Sequence, residues 1–147
     1  MNLHKFIIDE SLKLIETTFD TRKWAETIGI NLVENQVEIV DIVCHPKSKY
    51  INILGSRSMG KTYAIGGVSI KQCLNYPGYK VVVFGPRADQ ATRIISEISG
   101  ICKRNKILCE LVDWNNTSKQ HIAFKNTSDI VALSASELSE IEGWHGD

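Results

Sequence analysis

ILGSRSMGKT, residues 53–62, is the stretch that decides the expected fold of this chain. The apolar run YINIL, residues 50–54, leads into Gly55 and Gly60, which have four residues between them, and a lysine and a threonine follow the second glycine. A buried strand, a G-x-x-x-x-G-K-T loop and a helix, in that order, form the full context of a phosphate-binding P-loop. The sequence therefore predicts that this loop binds the phosphates of a nucleotide.

Each part of the loop has a chemical role in that prediction. The glycines let successive backbone N–H groups point into one concavity, and the positive N-terminal end of the following helix adds to it. Lys61 is expected to reach the β- and γ-phosphates as a candidate catalytic cation, and the Thr62 hydroxyl is expected to ligate Mg²⁺. Arg57 is either a second catalytic cation aimed at the γ-phosphate or an ordinary solvated arginine. The predicted nucleotide-binding residues of the loop are Gly55, Ser56, Arg57, Ser58, Met59, Gly60, Lys61 and Thr62.

Length and composition set the limits of the other predictions. The chain has 147 residues, which is enough for one core, and 17 basic residues balance 17 acidic ones. Bulk charge therefore gives no argument for nucleic-acid binding, and no apolar run approaches the length of a membrane span. The four cysteines show no C-x-x-C pairing, which predicts reduced thiols: Cys44, Cys73, Cys102 and Cys109.

Hydrophobic periodicity predicts helices alternating with strands. Helices are expected over residues 3–17, from an N-cap at Thr21 through Ile28 with Gly29 closing it, over 35–46, from about Gly60 to Leu74, and over 86–105. Buried strands are expected at 50–54 and 80–85, and shorter strand-like runs at 109–115, 121–126 and 129–135. This order predicts an α/β domain whose parallel sheet is flanked by helices.

Several stretches around the loop occur in an order that is similar to a known family. NQVEIVDIVCHPKSKYINILGSR (35–57) places Gln36 about twenty residues before the loop, and VVVFGPRADQATRIISEI (81–98) carries the pair Gln90–Ala91. HIAFKNTSDIVALSAS and EIEGWHGD follow. Roughly from residue 33 to residue 147, the chain resembles the N-terminal part of the ATPase domain of a tailed-phage DNA-packaging terminase large subunit.

The resemblance implies that residues 33–147 are the N-terminal portion of a P-loop NTPase domain of the ASCE class that binds ATP and Mg²⁺. Residues 1–32, where the apolar spacing predicts helices, are expected to form a separate N-terminal helical segment. In that family an arginine inside the loop, here Arg57, is typical, and a glutamine at the position of Gln36 reads the adenine. On the residues alone, Gln36 near a helix start is alternatively a helix cap or a surface residue. The family couples ATP hydrolysis to the movement of double-stranded DNA, assembles as a ring, and works with a portal and a small terminase subunit. The implied location is the cytoplasm of an infected bacterial host, with no membrane contact.

Two departures from the family are visible. Glu142 stands where the family usually has a basic residue, and the apolar strand ending in Asp-Glu, which holds Mg²⁺ and orients the attacking water, has no counterpart before Asp147. We therefore expect an incomplete domain that stops before this Walker B strand, with unpaired apolar edges at YINIL and VVVF. We also expect the 147-residue chain to hydrolyse ATP at no more than a trace rate.

Other interpretations stay open on the sequence alone. The chain is alternatively part of another P-loop translocase, similar to a helicase, or a truncated non-catalytic protein that docks into a full-length motor. Coding sequence beyond codon 147 that contains an Asp-Glu pair and a nuclease domain would favour the terminase. The basic cluster Lys103, Arg104 and Lys106 is either a solvated helix end or a local DNA contact.

Overall fold

The computed structural model describes residues 20–47, 50–116 and 120–135. The helices are α1 (Thr21–Thr27), α2 (Glu34–Cys44), α3 (Lys61–Asn75), α4 (Ala88–Arg104) and α5 (Lys106–Leu111), and the strands are β1 (Lys80–Gly85), β2 (Val112–Asn116), β3 (His121–Phe124) and β4 (Asp129–Ser134). The helix predicted over residues 3–17 lies outside the described residues, as do Glu142 and Asp147. Among the helices of the described segments, none is long and apolar enough to cross a bilayer.

The four strands form one open sheet in the order β1-β4-β3-β2. β1 runs parallel to β4, with Val82 opposite Val131, whereas β3 is antiparallel to both of its neighbours. The α/β class is confirmed, but the prediction of a parallel sheet is wrong, because the sheet is mixed. The short turn over residues 125–128 permits only antiparallel pairing of β3 with β4, while α4 lies in the long connection that a parallel pair requires.

The core lies between this sheet and the helices packed on one of its faces. Along β3 and β4 every second side chain is buried among helical residues; Ile122 and Ile130 are fully buried together with Ile98 of α4. On the opposite face Val82 and Phe84 of β1 are 37% and 54% exposed. The strand predicted at 80–85 is therefore present, but it is half-buried and not enclosed on both faces.

The apolar run before the loop differs most from its prediction. Residues 50–54 form no strand, and Tyr50 and Leu54 are 98% and 88% exposed. A strand exists only when its backbone pairs with a neighbour, and within the described residues nothing pairs with this run. The run is unpaired, but it is not the strand with an unpaired edge that was expected, because it lies outside the sheet with no regular secondary structure.

The predicted start of α1 is shifted by one residue. Asp20, not Thr21, caps the helix, because its carboxylate accepts the backbone N–H groups of Arg22 and Lys23 at 3.1 Å each. The N–H of Lys23 is the main cause of a lowered pKa at Asp20. Gly29 ends the helix as predicted, with a left-handed φ of 67°. The hydroxyl of Thr21 is thereby available for a contact between helices.

Candidate functional site

The predicted phosphate loop lies at the surface, directly before α3. That helix begins at Lys61, within one residue of the predicted start, and residues 55–59 are all exposed while Gly60 is half-buried. The loop contains a turn at residues 57–58, where Ser58 has a φ of 67°. Its backbone is therefore open to a ligand from solvent.

Lys61 closes the loop upon itself. Its Nζ donates to the backbone carbonyl oxygen of Gly55 at 2.7 Å and to that of Ser56 at 2.6 Å. Both carbonyl groups belong to the opposite end of the loop, so the side chain folds back across the loop and places its ammonium group between the two ends. An ammonium group has three donors and no acceptor, so the group is suited to anionic oxygens.

The N-terminal end of α3 is open to an anion. Its N-cap is Gly60, in the left-handed conformation with φ 71° and ψ 25°, and no side chain of the described residues caps it. The first N–H groups of a helix have no acceptor within the helix, and the aligned peptide dipoles of this 15-residue helix add positive potential there. No acidic residue lies in the first turn to oppose a phosphate.

Gln36, the predicted adenine-reading residue, contacts the end of the loop. It is the third residue of α2 and is 8% exposed. Its Oε1 accepts the backbone N–H of Val33 at 3.1 Å, which completes a capping interaction at the start of α2, and its Nε2 donates to the carbonyl oxygen of Gly60 at 3.3 Å. The structure thus brings Gln36 to the loop, and its reading of adenine stays a prediction.

The remaining predicted residues are distributed along the loop and the first turn of α3. Arg57, Ser58 and Met59 are exposed, and Thr62 is half-buried in the first turn of the helix. A Cβ atom at Gly55 would approach the sulfur of Met59 to 2.8 Å, so the loop is compact at that point. The described residues contain no group of three or more His, Cys, Asp or Glu side chains arranged around a metal position, and the Mg²⁺ role of Thr62 stays a prediction.

The donor set of the loop fits a phosphate group. It consists of an ammonium group, a helix N-terminus and a hydroxyl, which supply hydrogen-bond donors and positive potential. Mg²⁺ at such a loop is usually held by phosphate oxygens and waters together with the loop hydroxyl and a carboxylate from another strand. The loop is therefore compatible with a nucleotide phosphate, and Thr62 would supply one of the ligands of its metal ion.

A separate polar cavity of about 500 Å³ opens beside the sheet, and none of the loop residues lines it. There the Nε2 of His121 lies 3.2 Å from Oδ2 of Asp129, and Nζ of Lys80 lies 3.9 Å from the same oxygen. These contacts link β1, β3 and β4. The three side chains therefore have a structural role, because they connect neighbouring strands of the sheet.

The contact between Gln36 and Gly60 was not predicted from the sequence. A capping box is recognised by Ser or Thr at the N-cap and Glu or Gln three residues later, but the N-cap of α2 is Val33. The glutamine alone was a weak signal. A partner 24 positions further along the chain could be identified only from the fold.

Comparisons of this chain with protein-family models, with curated protein sequences and with solved structures found no match. The assignment to the α/β class with a mixed open sheet follows from the strand order and directions of the structure alone. The interpretation of the loop rests on its residues and on the geometry described above.

Proposed function

We propose that residues 55–62 bind the phosphates of ATP together with Mg²⁺, and that the chain is the ATP-binding portion of a viral DNA-packaging motor similar to the terminase large subunit. The observation that carries the nucleotide proposal is the position of Lys61. Its ammonium group bridges the two ends of the loop, and the helix that begins at Lys61 has no side-chain cap at its N-terminus.

On binding, the ammonium group of Lys61 would exchange backbone carbonyl oxygens for phosphate oxygens. Lys61 would release the carbonyl groups of Gly55 and Ser56 and donate to the β- and γ-phosphates, a favourable exchange because hydrogen bonds between charged groups are the stronger ones. The N–H groups at the start of α3 would receive a phosphate oxygen, and the Thr62 hydroxyl would ligate Mg²⁺. The metal ion would neutralise part of the phosphate charge.

The packaging role is supported by the order of the resembling stretches. Gln36 before the loop, Arg57 within it and the Gln90–Ala91 pair after it occur as they do in the terminase large subunit. In this proposal the motor hydrolyses ATP, moves double-stranded DNA, assembles as a ring and meets a portal and a small terminase subunit in the cytoplasm of an infected bacterium. Gln90 and Ala91 lie in the first turn of α4, which begins at Ala88, shortly after β1 ends at Gly85.

Titration calorimetry with Mg-ATP tests the nucleotide proposal. Lys61→Ala removes the cation that faces the phosphates, and we expect the affinity to fall by about a hundredfold, as for the loss of one or two charge-assisted hydrogen bonds. Lys103→Ala is the matched control, since Lys103 is an exposed lysine in the last turn of α4. Equal affinity in Lys61→Ala and in the unchanged chain would show that the loop does not bind the phosphates.

A packaging reaction tests the motor proposal separately. In the complete motor of which the chain is proposed to be a portion, Lys61→Ala should abolish the DNA that becomes protected from nuclease inside procapsids. A helicase-like translocase would leave the protected DNA unchanged while still losing ATP binding. A non-catalytic protein that docks into a motor would show a third pattern, because the unchanged chain would itself reduce packaging by the complete motor.

A further inference from the structure

Gln36 joins the start of α2 to the start of the phosphate-loop helix. We infer that Gln36 is a positioning residue of the loop: its amide fixes the peptide group between Gly60 and Lys61, and so aims the backbone N–H of Lys61 into the loop. The inference rests on the proposed function, because it describes how the same loop is prepared for phosphate.

The orientation of the Gln36 amide follows from its two partners. The N–H of Val33 can only donate, so the atom 3.1 Å from it is the amide oxygen. The carbonyl of Gly60 can only accept, so the atom 3.3 Å from it is the amide nitrogen. Both polar atoms of this buried side chain therefore have backbone partners, one in each helix start.

The Gly60 carbonyl is also the first acceptor of α3. It accepts the N–H of Ala64 at 3.0 Å, so this one oxygen receives donors from α2 and from α3. A peptide unit is planar and, when trans, its N–H points opposite to its C=O. The described peptide bonds are all trans, so fixing the Gly60 carbonyl between two donors fixes the opposite direction for the N–H of Lys61.

The glycine itself fits this role of Gln36. Gly60 has a φ of 71°, which favours a residue without a side chain, and a Cβ atom at this position would overlap the Nε2 of Gln36. A side chain at residue 60 would therefore displace the Gln36 amide from this contact, which is a second reason for glycine here, independent of the backbone conformation. Gly60 therefore permits both the left-handed turn of the loop and the contact with Gln36 of α2.

Gln36→Glu separates the two contacts of the side chain. A glutamate still accepts the N–H of Val33, because Glu and Gln are equally suited to this capping position. It has no N–H for Gly60, and at about pH 8 it is ionised and repels the carbonyl oxygen. Asn35→Asp is the matched control, since it adds the same negative charge at the exposed neighbouring residue of α2.

The experiment measures calorimetric affinity for Mg-ATP, Mg-GTP and Mg-tripolyphosphate, and amide hydrogen exchange of Ala64 without ligand. We expect Gln36→Glu to weaken all three ligands by a common factor of about ten, as for the loss of one hydrogen bond with added repulsion. The Ala64 amide should exchange faster. Asn35→Asp should change each affinity by less than about threefold and leave the exchange unchanged.

Other results would overturn the inference. A loss confined to ATP would show that Gln36 reads the base, and unchanged affinities with unchanged Ala64 exchange would show that it only caps α2. Lys61→Ala, which leaves Gln36 intact, distinguishes failure of the proposed function: if that variant binds tripolyphosphate as well as the unchanged chain does, the loop is not the phosphate site. The Ala64 exchange then still decides whether Gln36 holds Gly60.

Discussion

Asn126 donates its side-chain amide to the backbone carbonyl oxygen of Cys73 at 2.7 Å, and so holds the last turn of α3 against the turn between β3 and β4. Ser128 Oγ donates to the same oxygen at 2.9 Å. Carbonyl groups in the last turn of a helix receive no N–H group from the same helix. The side chains of Asn126 and Ser128 supply the hydrogen-bond donors that water would otherwise have to provide. α3 is thereby fixed at its C-terminal end to the turn between β3 and β4, as Gln36 contacts its N-terminal end at Gly60.

Asn126→Ala should therefore destabilise the fold. We expect the free energy of unfolding, measured by urea denaturation, to fall by about 1–2 kcal/mol, because a buried carbonyl loses one of its two donors. Asn35→Ala, at an exposed position of α2, should change it by no more than about 0.5 kcal/mol. Equal values for the two variants would show that the contact with Cys73 contributes nothing measurable.

A buried lysine connects the three N-terminal helices of the described chain. Lys71 of α3 is 4% exposed; its Nζ donates to the hydroxyl of Thr21, which in turn donates to the carboxylate of Asp41 in α2. The same Nζ lies 5.5 Å from the ring centroid of Trp24. Burial is the main cause of a lowered pKa at Lys71, so the ammonium group depends on these partners to remain charged inside the protein.

Thr21→Val should be costly for that reason. Valine keeps the shape of threonine but leaves the ammonium group of Lys71 without its hydroxyl acceptor, and we expect the free energy of unfolding to fall by about 1–3 kcal/mol. Thr27→Val is the control on the same helix, since the Thr27 hydroxyl only bonds back to the carbonyl oxygen of Lys23. If both substitutions have the same small effect in thermal denaturation, Lys71 does not depend on Thr21.

The thiols should differ strongly in reactivity. Burial raises the pKa of Cys73 to about 12 and that of Cys102 to about 12, whereas Cys109 is exposed. Because the thiolate is the reactive form, Cys109 should be alkylated first by iodoacetamide, and Cys73 and Cys102 only when denaturant unfolds the chain. Mass spectrometry of peptides identifies which thiols have reacted. Rapid modification of all of these thiols in the folded chain would contradict the described burial.

The same raised pKa values predict a pH dependence of stability. Each folded thiol keeps its proton up to about pH 12, while the unfolded thiol loses it near its ordinary value of 9.0. Between these two pH values the folded state binds more protons than the unfolded state, so the free energy of unfolding falls as the pH rises. The contribution of each thiol to that free energy is therefore full below pH 9.0 and is lost as the pH approaches about 12. Cys73→Ala should show a shallower loss of unfolding free energy across this window than the unchanged chain.

Local signals predicted four of the five described helices, but α5 (Lys106–Leu111) was not predicted. Its last three residues fall in the run 109–115, which was wrongly predicted to be strand from its start. α3 and α4 were found within a few residues, because apolar spacing and the flanking glycine, proline and asparagine residues act over one or two turns of chain. The run 50–54 shows where such reasoning fails. Its composition is that of a strand, but a strand also requires a neighbouring backbone, which composition alone does not supply.

The site was predictable only in part for the same reason. The motif located Lys61 and Gly60 correctly at the start of a helix. The folding of Lys61 onto the carbonyl of Gly55 and the attachment of Gln36 to Gly60 depend on side-chain directions and on the packing of α2 against α3. Gln36 and Gly60 are 24 positions apart, which no short sequence window contains, and the direction of the Lys61 side chain depends on the conformation of the loop, so both contacts required the structure.

Arg57 provides the last test, because the sequence left its role open and the structure places it, exposed, at the turn of the loop. If its guanidinium group faces the γ-phosphate, Arg57→Ala removes a charge-assisted contact that ATP has and ADP lacks. We expect Mg-ATP to bind about tenfold more weakly while Mg-ADP changes by less than about twofold, as measured by calorimetry. Arg93→Ala, at an exposed position of α4, should leave both affinities unchanged and so controls for the lost positive charge. A parallel loss for both nucleotides would place Arg57 at the α- or β-phosphate, and no loss for either would make it a solvated loop residue.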